Sequence, residues 1–109
     1  MDFIYLPGFV KKLKDYSKKY PSLKTEFETL LTQLQAHPQI GTSLGKDCYK
    51  IRLAIKSKGK GKSGGVRLIT CVMVVNDTIY FLTIYDKSEQ ESVSDTDLKV
   101  FIEYLQHIK

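Results

Sequence analysis

Apolar positions in the first third of the chain recur with the period of an α-helix. Four of them follow spacings of four, three and four, which place them on one helix face: Phe9, Leu13, Tyr16 and Tyr20. A second face begins after Pro21–Ser22 and comprises Leu23, Phe27, Leu30, Leu31 and Leu34. That helix should end near His37, because Pro38 follows and disfavours helical geometry in the residue before it. We expect two antiparallel helices joined by a tight turn.

The period changes to two after GTSLGKD (residues 41–47), which is predicted to be a loop. Between residues 49 and 56 apolar and polar positions alternate, as in a half-buried strand. VRLITCVMVV (66–75) is apolar at both parities and is typical of a central strand. IYFLTIYD (79–86) predicts a third strand after a turn at 76–77, and DFIYL (2–6) a short first strand ended by Pro7–Gly8.

The chain should close with a helix after Ser94, since Ser94 and Asp97 have the spacing of a capping box. Its apolar face would contain Leu98, Phe101, Ile102 and Leu105. The predicted order is therefore β-α-α-β-β-β-α. This order indicates an α+β fold, in which a small, mostly antiparallel sheet packs against helices, formed as a single domain by residues 1–109.

The composition, with 42% hydrophobic and 27% charged residues, is typical of a globular chain. No apolar run approaches the roughly 20 residues of a membrane span, and MDFIYLPGF has neither the basic nor the long apolar region of a signal peptide. We expect a cytoplasmic protein without a membrane partner. Cys48 and Cys71 lie in predicted strands, which favours a reduced pair and leaves a disulfide open.

Positive charge is concentrated in one part of the chain, residues 48–76, which we term the basic stretch. It contains seven basic residues and no acidic one: Lys50, Arg52, Lys56, Lys58, Lys60, Lys62 and Arg67. The other 10 of the chain's 17 basic residues are outnumbered by its 12 acidic residues. Local basicity of this kind indicates a polyanionic partner. A second run of lysines, between residues 11 and 24, is interpreted as a solvated helix face.

Strand parity groups several of these cations on one sheet face. If Tyr49 and Ile51 face the helices, then Lys50 and Arg52 face away from them, and an extended chain would continue this row through Lys56, Lys58, Lys60 and Lys62. Arg67 begins the next strand, and Tyr85 and Lys87 end the one after it, so these residues could gather on an open face and contact phosphate. The alternatives are a solvated loop at 56–62, an Arg67–Asp86 ion pair and a half-buried strand tyrosine at 85.

Other nuclease chemistries find no support in the sequence. His37 and His107 lie in or next to predicted helix ends, away from the basic face, so neither a histidine-based mechanism nor a Ser-His-Asp triad is indicated. Neither a C-x-x-C motif nor a carboxylate cluster suited to Mg²⁺ occurs in the basic stretch. We expect no metal and no cofactor.

The segments CYKIRLAIKSKGKGKSGGVRLITCV, IYFLTIYDKSE and the following SD resemble the RelE/ParE toxin superfamily. More narrowly they resemble its HigB-like branch, which has a K-I-R strand, a KGKGK loop followed by GG-x-R, and an L-T-I-Y-x-K strand. The resemblance covers about residues 48–97, and the element order also matches that fold. It implies the toxin of a type II toxin–antitoxin module, a ribosome-dependent and metal-independent mRNA endonuclease that uses the ribose 2′-OH as its nucleophile.

The resemblance also implies roles for individual residues. Lys50 and Arg52 match the family's K-x-[KR] strand and are candidates for proton transfer and phosphate contact. Arg67 would be the main cation for the transition state, and Lys87 matches a basic position after the last strand. RelE itself has an arginine after that lysine and a tyrosine further on, where this chain has Ser88 and no tyrosine in SEQESVSD. Tyr85 is then the candidate substitute, while the loop lysines would bind the RNA backbone.

Two other functions compete with this one: a ParE-like toxin acting on DNA gyrase, and a basic RNA-binding module without catalysis. The resemblance further implies a cognate antitoxin, expected to be HigA-like with a helix-turn-helix domain. Operator DNA would then be bound indirectly, through the antitoxin. Where the antitoxin binds is left open by the sequence.

Overall fold

Three helices pack on the two faces of a five-stranded sheet. The computed structural model describes residues 1–58, 64–90 and 92–108. The elements, in chain order, are β1 (Asp2–Tyr5), α1 (Pro7–Lys19), α2 (Leu23–Ala36), β2 (Thr42–Gly45), β3 (Cys48–Leu53), β4 (Val66–Met73), β5 (Thr78–Asp86) and α3 (Asp95–Ile108). A 3₁₀ turn (Lys56–Lys58) follows β3. The α+β class is confirmed, and no helix in the described part of the chain has the length and apolar character needed to cross a membrane.

The sheet has the strand order β1-β5-β4-β3-β2. β1 is parallel to β5, and every other neighbouring pair is antiparallel. The parallel pair is possible because α1, α2 and three strands lie between β1 and β5 in the chain, which is ample for a crossover. The mostly antiparallel sheet expected from the sequence is therefore confirmed.

Each face of the sheet has its own apolar core. The first core joins α1 and α2 to the sheet through Phe9, Leu23, Phe27, Leu30, Leu34, Ile51, Leu68 and Phe81. The second core joins α3 to the opposite face through Leu98, Leu105, Ile69, Cys71, Leu82 and Tyr85. Both faces of β4 are thus covered, which explains why its sequence is apolar at both parities.

Helix boundaries follow the expected local signals with one exception. The backbone N–H of Asp97 donates to Ser94 Oγ at 3.0 Å, so the predicted cap of α3 is confirmed. α2 ends at Ala36 with His37 as its C-cap residue, as expected. The prediction that Pro7–Gly8 forms a turn was wrong: Pro7 begins α1, because proline needs no N–H partner in the first helical turn.

The prediction of a loop at residues 41–47 was also wrong, because Thr42–Gly45 forms β2. It pairs with the first half of β3 through a hairpin whose central residues, Lys46 and Asp47, both have positive φ (54° and 63°). Two positive φ values define the type I′ turn that matches the twist of adjacent strands. Lys-Asp is an uncommon sequence for this turn, and β2 is short and polar, so neither signal was visible in the sequence.

β4 is shorter than the apolar run that predicted it. It ends at Met73, and Val74 and Val75 lie in the connection to β5, where they are 74% and 104% exposed. The sequence prediction included these two residues because valine is enriched in strands, although strand propensity depends on the surroundings. The predicted turn at Asn76–Asp77 is confirmed, with φ of 51° at Asp77.

A bulge in β5 decides which side chains reach the second core. The register passes from Ile69 opposite Thr83 to Thr70 opposite Phe81, so Leu82 is the extra residue. Phe81 and Ile84 both face the first core as a result, while Leu82 and Tyr85 face the second. Without the bulge, strict alternation would place Tyr85 on the same face as Phe81.

Candidate functional site

Two arginines lie directly opposite each other on β3 and β4. The register pairs Arg52 with Arg67, two steps along the ladder from the pair of Lys50 with Ile69. The N–H of Val72 donates to the carbonyl of Asp47 at 2.9 Å, which makes Cys48 and Cys71 a non-hydrogen-bonded pair. Pair types alternate along an antiparallel ladder, so Arg52 and Arg67 are also such a pair, with Cα atoms about 4.5 Å apart. The sheet therefore places the backbones of two arginines at its closest cross-strand spacing.

Tyr85 extends this pair into a row across three strands. It lies opposite Arg67 on the β4–β5 ladder, on the same face. The N–H of Lys87 donates to the carbonyl of Gly65 at 3.2 Å, so Arg67 and Tyr85 form a hydrogen-bonded pair, with Cα atoms about 5.5 Å apart. We call Arg52, Arg67 and Tyr85 the arginine row.

The environment of Arg67 disfavours its charge. Its side chain is 2% exposed, and the pKa of its guanidinium is lowered first by burial and then by the positive charge of Arg52. Like charges directly opposite each other destabilise an antiparallel pair. An arrangement with this cost is suited to binding an anion between the two cations, because the anion relieves their repulsion.

The phenol of Tyr85 is buried against this cation. Tyr85 is 1% exposed, and its hydroxyl has no hydrogen-bond partner within the described part of the chain. Burial raises the pKa of Tyr85, and the charge of Arg67 partly lowers it. The hydroxyl is therefore protonated at neutral pH and is a donor rather than a base. A buried hydroxyl without a partner costs about 1–3 kcal/mol.

The other predicted site residues differ in where they lie. Lys50 is half-buried on the face of the arginine row, and Arg52 itself is exposed. Lys87 is half-buried just beyond β5 and shares the parity of Tyr85. Its N–H bond to Gly65 needs a residue without a side chain at 65, since a Cβ there would lie 2.0 Å from the carbonyl oxygen of Leu53.

The expected extended row of loop lysines is only partly described. Lys56 is exposed and begins the 3₁₀ turn that ends at Lys58, so the extended conformation on which the row was conditional stops there. Lys60 and Lys62 lie outside the described residues.

The face that carries the arginine row is not open along its whole length, as the sequence suggested. α3 covers the part around Ile69, Cys71 and Leu82, and Tyr85 belongs to the same core. Arg52 and Lys50 lie toward the β3 side of this face, where their side chains reach solvent. The accessible surface of the candidate site is thus its β3 side.

Asp86, considered as an ion-pair partner of Arg67, faces the other way. It lies opposite Val66 and is completely buried on the side of α1 and α2. Tyr20 donates its hydroxyl to Asp86 Oδ2, and the Ser88 N–H and Oγ donate to Asp86 Oδ1 at 2.9 and 2.8 Å. Strand alternation makes Tyr85 and Asp86 face opposite sides, and the bulge at Leu82 decides that Asp86 is the one that faces α1 and α2. The sequence analysis missed this cluster because it did not include the bulge.

Hydrogen bonds attach the start of the 3₁₀ turn (Lys56–Lys58) to α2. The sequence analysis also missed this contact. The N–H of Lys56 donates to Glu26 Oε2 at 2.7 Å, and the N–H of Ser57 donates to Ser22 Oγ at 3.1 Å. Ser22 in turn donates to Glu26 Oε1 at 3.0 Å. A serine before a helix followed by a glutamate in its first turn was the available signal, but it predicts a helix cap rather than a loop anchor.

His37 lies away from this site, and no metal-binding group of side chains occurs in the described part of the chain. His37 lines a cavity of about 860 Å³ together with Met1, Ile40 and Asp77, at the end of the sheet away from the arginine row. Within residues 1–58, 64–90 and 92–108, no three His, Cys, Asp or Glu side chains are grouped so that they could hold a metal ion.

Comparisons with known proteins identify the family of this α+β chain. Residues 10–109 match the family described as the RelE toxin of the RelE/RelB toxin–antitoxin system. The structure is similar to the isolated Escherichia coli RelE toxin, with a TM-score of 0.61 and 18% identity over 99% of this chain and 98% of that chain. A free double arginine-to-alanine mutant of E. coli RelE gives a TM-score of 0.60 and 17% identity, covering 83% and 86% of the two chains.

The chain belongs to the RelE toxin family, because the family match spans nearly its whole length. The resemblance to the RelE/ParE superfamily is thereby confirmed. The chain is accordingly a toxin of a toxin–antitoxin system, and its family implies an antitoxin as partner.

Proposed function

We propose that this toxin is an mRNA endonuclease that cleaves on the ribosome, with the arginine row as its catalytic centre. The observation that carries the proposal is the direct opposition of Arg52 and Arg67 on adjacent strands. Two cations at the closest cross-strand spacing are destabilising without an anion and favourable with one. A phosphodiester has the charge and the size to bind between them.

The proposed reaction is attack of a ribose 2′-OH on the adjacent phosphorus. A base removes the 2′ proton, the leaving 5′ oxygen takes a proton from an acid, and the phosphorane carries extra negative charge in between. The guanidinium groups of Arg52 and Arg67 would stabilise that charge, so the step needs no metal ion or cofactor. Tyr85 is protonated at neutral pH and suits the acid. Lys50 and Lys87 are the flanking candidates for proton transfer.

In this proposal, the exposure of each side chain determines the order in which RNA contacts it. Arg52 is exposed, whereas Arg67 is 2% exposed and Tyr85 1% exposed. RNA would therefore meet Arg52 first, and contact with the other two requires part of their cover to move when RNA binds. Lys56 is exposed at the start of the 3₁₀ turn. It would contact the RNA backbone together with Lys58, Lys60 and Lys62, in a salt-dependent manner.

We extend the proposal to the rest of the system. The chain would act as a single cytoplasmic domain of the HigB-like branch, since Ser88 replaces the arginine of the RelE pattern and Tyr85 stands in the L-T-I-Y-x-K segment. Its antitoxin would be HigA-like, with a helix-turn-helix domain through which the complex binds operator DNA. A ParE-like action on gyrase is the second candidate, and a non-catalytic RNA-binding module is the third.

Primer extension on mRNA from cells expressing the toxin separates these functions. The wild type should produce cuts confined to translated regions. Arg52→Ala should reduce their yield by about 10²-fold, because a cation aligned with the transition state contributes on the order of 3 kcal/mol. Arg67→Met, which keeps the buried volume and removes the charge, should reduce it at least as much.

Lys11→Ala serves as the matched control, since it removes one positive charge from an exposed position of α1 and should leave cleavage unchanged. Arg52 is exposed, so its variant should fold even if a variant of buried Arg67 does not. Intact mRNA with arrested DNA supercoiling would favour the gyrase function. Intact mRNA in cells whose translation stops would favour the RNA-binding module.

A further inference from the structure

Two cysteines lie directly opposite each other on the ladder that also carries the arginine pair. The register pairs Cys48 of β3 with Cys71 of β4. Both are in the reduced form in the second core, with exposures of 0% and 2%. The proposed ribonuclease reaction uses neither of them.

The ladder places this pair at the spacing that a disulfide needs. The N–H of Val72 donates to the carbonyl of Asp47, so Cys48 and Cys71 form a non-hydrogen-bonded pair. The Cα atoms of such a pair are about 4.5 Å apart and their side chains lean toward each other. Disulfides span Cα separations of about 4.4–6.8 Å. The backbone therefore needs no large movement to accept the bond.

The sulfur atoms also converge on the same surroundings. Cys48 Sγ lies 3.6 Å and Cys71 Sγ 4.0 Å from the carbonyl oxygen of Lys46, in the turn between β2 and β3. A hydrogen bond with the thiol of Cys71 raises the pKa of Cys48, and burial raises it further. The thiols thus contact each other directly, and the thiolate form of Cys48 is disfavoured in this core.

We propose that Cys48 and Cys71 are a modification site, at which a small disulfide such as glutathione disulfide oxidises the pair to an intramolecular cross-strand disulfide. One cysteine, as the thiolate, attacks a sulfur of the small disulfide and releases one reduced thiol. The second cysteine attacks the resulting mixed disulfide at the protein sulfur and releases the other. The two protons lost from the cysteines leave with the released thiols, so the small disulfide is reduced and the protein is oxidised.

The bond would close a loop that contains most of the basic stretch. Residues 48–71 include the 3₁₀ turn, most residues of the basic stretch and both arginines of the row. Closing such a loop restricts the unfolded chain far more than the folded one, whose strands are already paired. Oxidation should therefore stabilise the fold, and it should be slow because both thiols are buried.

The test treats the folded 109-residue chain with glutathione disulfide at mildly alkaline pH and follows intact mass. The expected product is a monomer that is lighter by two hydrogen atoms and has no titratable thiol after denaturation. Its thermal midpoint should rise by roughly 10 °C, and dithiothreitol should reverse the shift. Circular dichroism before and after oxidation checks that the chain stays folded.

Cys48→Ala and Cys71→Ala are the matched controls, since each keeps one thiol and should never lose two hydrogens. The mass measurement needs only the wild-type chain, so it holds even if a control variant fails to fold. Two titratable thiols after prolonged exposure would overturn the proposal. A product restricted to mixed disulfides or dimers would also overturn it, and so would a disulfide form with a lower thermal midpoint.

Discussion

Tyr85 and Asp86 are neighbours in the chain, both buried, yet their polar atoms are treated in opposite ways. Asp86 faces α1 and α2, where Tyr20 and Ser88 donate to its two carboxyl oxygens. Tyr85 faces the arginine row, and its hydroxyl has no partner among the described residues. At the end of β5, the buried polar group that faces α1 and α2 is hydrogen-bonded, whereas the one on the other face has no partner among the described residues.

We interpret this difference as a division between a structural side of β5 and the side of the proposed catalytic site. Buried polar groups in folded proteins are nearly always hydrogen-bonded, and the cluster around Asp86 obeys this rule. The arginine row departs from it at the Tyr85 hydroxyl, which has no partner among the described residues, and the row also places like charges on directly opposite residues. A sheet keeps such costs where a ligand or a reaction requires them. Removing single hydroxyl groups from tyrosines on the two sides tests this separation.

Tyr85→Phe should have the largest effect, and it should be on activity. Loss of a general acid lowers a rate by about 10²-fold or more. Stability should stay the same or rise slightly, because the variant removes a buried hydroxyl without a partner. Primer extension measures the first effect and urea unfolding the second.

A Tyr85→Phe variant that cleaves mRNA at the wild-type rate would show that Tyr85 is only a core residue and that another group acts as the general acid. A marked loss of stability would instead place Tyr85 in the structural class with Asp86. Tyr80→Phe is a matched control, since Tyr80 is a buried tyrosine of the same core and strand, opposite Cys71 rather than Arg67.

The parts of this arrangement that depend on local sequence patterns were predicted correctly. Alternation at residues 49–55 placed Arg52 and Lys50 on the face away from α1 and α2, and the structure confirms that side. Helical spacing likewise predicted the buried faces of all three helices. These are local patterns, and burial of one face enforces them.

Properties that depend on pairing between distant strands were beyond the sequence. The opposition of Arg52 and Arg67 depends on the register of β3 on β4, and the direction of Tyr85 depends on an extra residue at Leu82. Neither register nor bulge has a signature in a single sequence. The burial of Arg67 was missed for the same reason, since a charged residue at the start of a strand is ordinarily exposed.

Tyr20→Phe should have the next largest effect, and it should be on stability. Its hydroxyl donates to the completely buried carboxyl group of Asp86. A hydrogen bond to such a group contributes about 1.5–3 kcal/mol, so the urea midpoint should fall clearly. Cleavage per folded molecule should stay within about threefold, or roughly 0.7 kcal/mol in the barrier, because the lost bond lies on the side of α1 and α2 and not on the face of the arginine row.

A Tyr20→Phe variant that keeps wild-type stability but loses cleavage would contradict this division between the two sides of β5. It would mean that Asp86 acts through the adjacent backbone on Tyr85 and Lys87. Ser88→Ala is a useful comparison, since it removes one of the two bonds that Ser88 makes to the same carboxyl group and leaves the N–H bond in place.

Tyr16→Phe should have the smallest effect, visible mainly at alkaline pH. The Tyr16 hydroxyl donates to Glu89 Oε1 at 2.8 Å and accepts from the N–H of Asp86 at 3.2 Å. Burial, and then the bond to Glu89, raise the pKa of Tyr16 from 10.0 to about 12. The folded state thus holds this proton more tightly than the unfolded state does.

The pH range of the effect follows from the sign of that shift. Below the unfolded pKa of 10.0 the protonated hydroxyl contributes its full stabilisation, on the order of 1 kcal/mol for one partly exposed hydrogen bond. Between pH 10 and about 12 that contribution is lost as the phenol ionises beside Glu89. The difference in urea midpoint between wild type and Tyr16→Phe should therefore shrink over this range, while lysine ionisation affects both chains alike. A difference that stays constant with pH would show that Glu89 and Tyr16 are not coupled in solution, and that the ordered network ends at Asp86 and Tyr20.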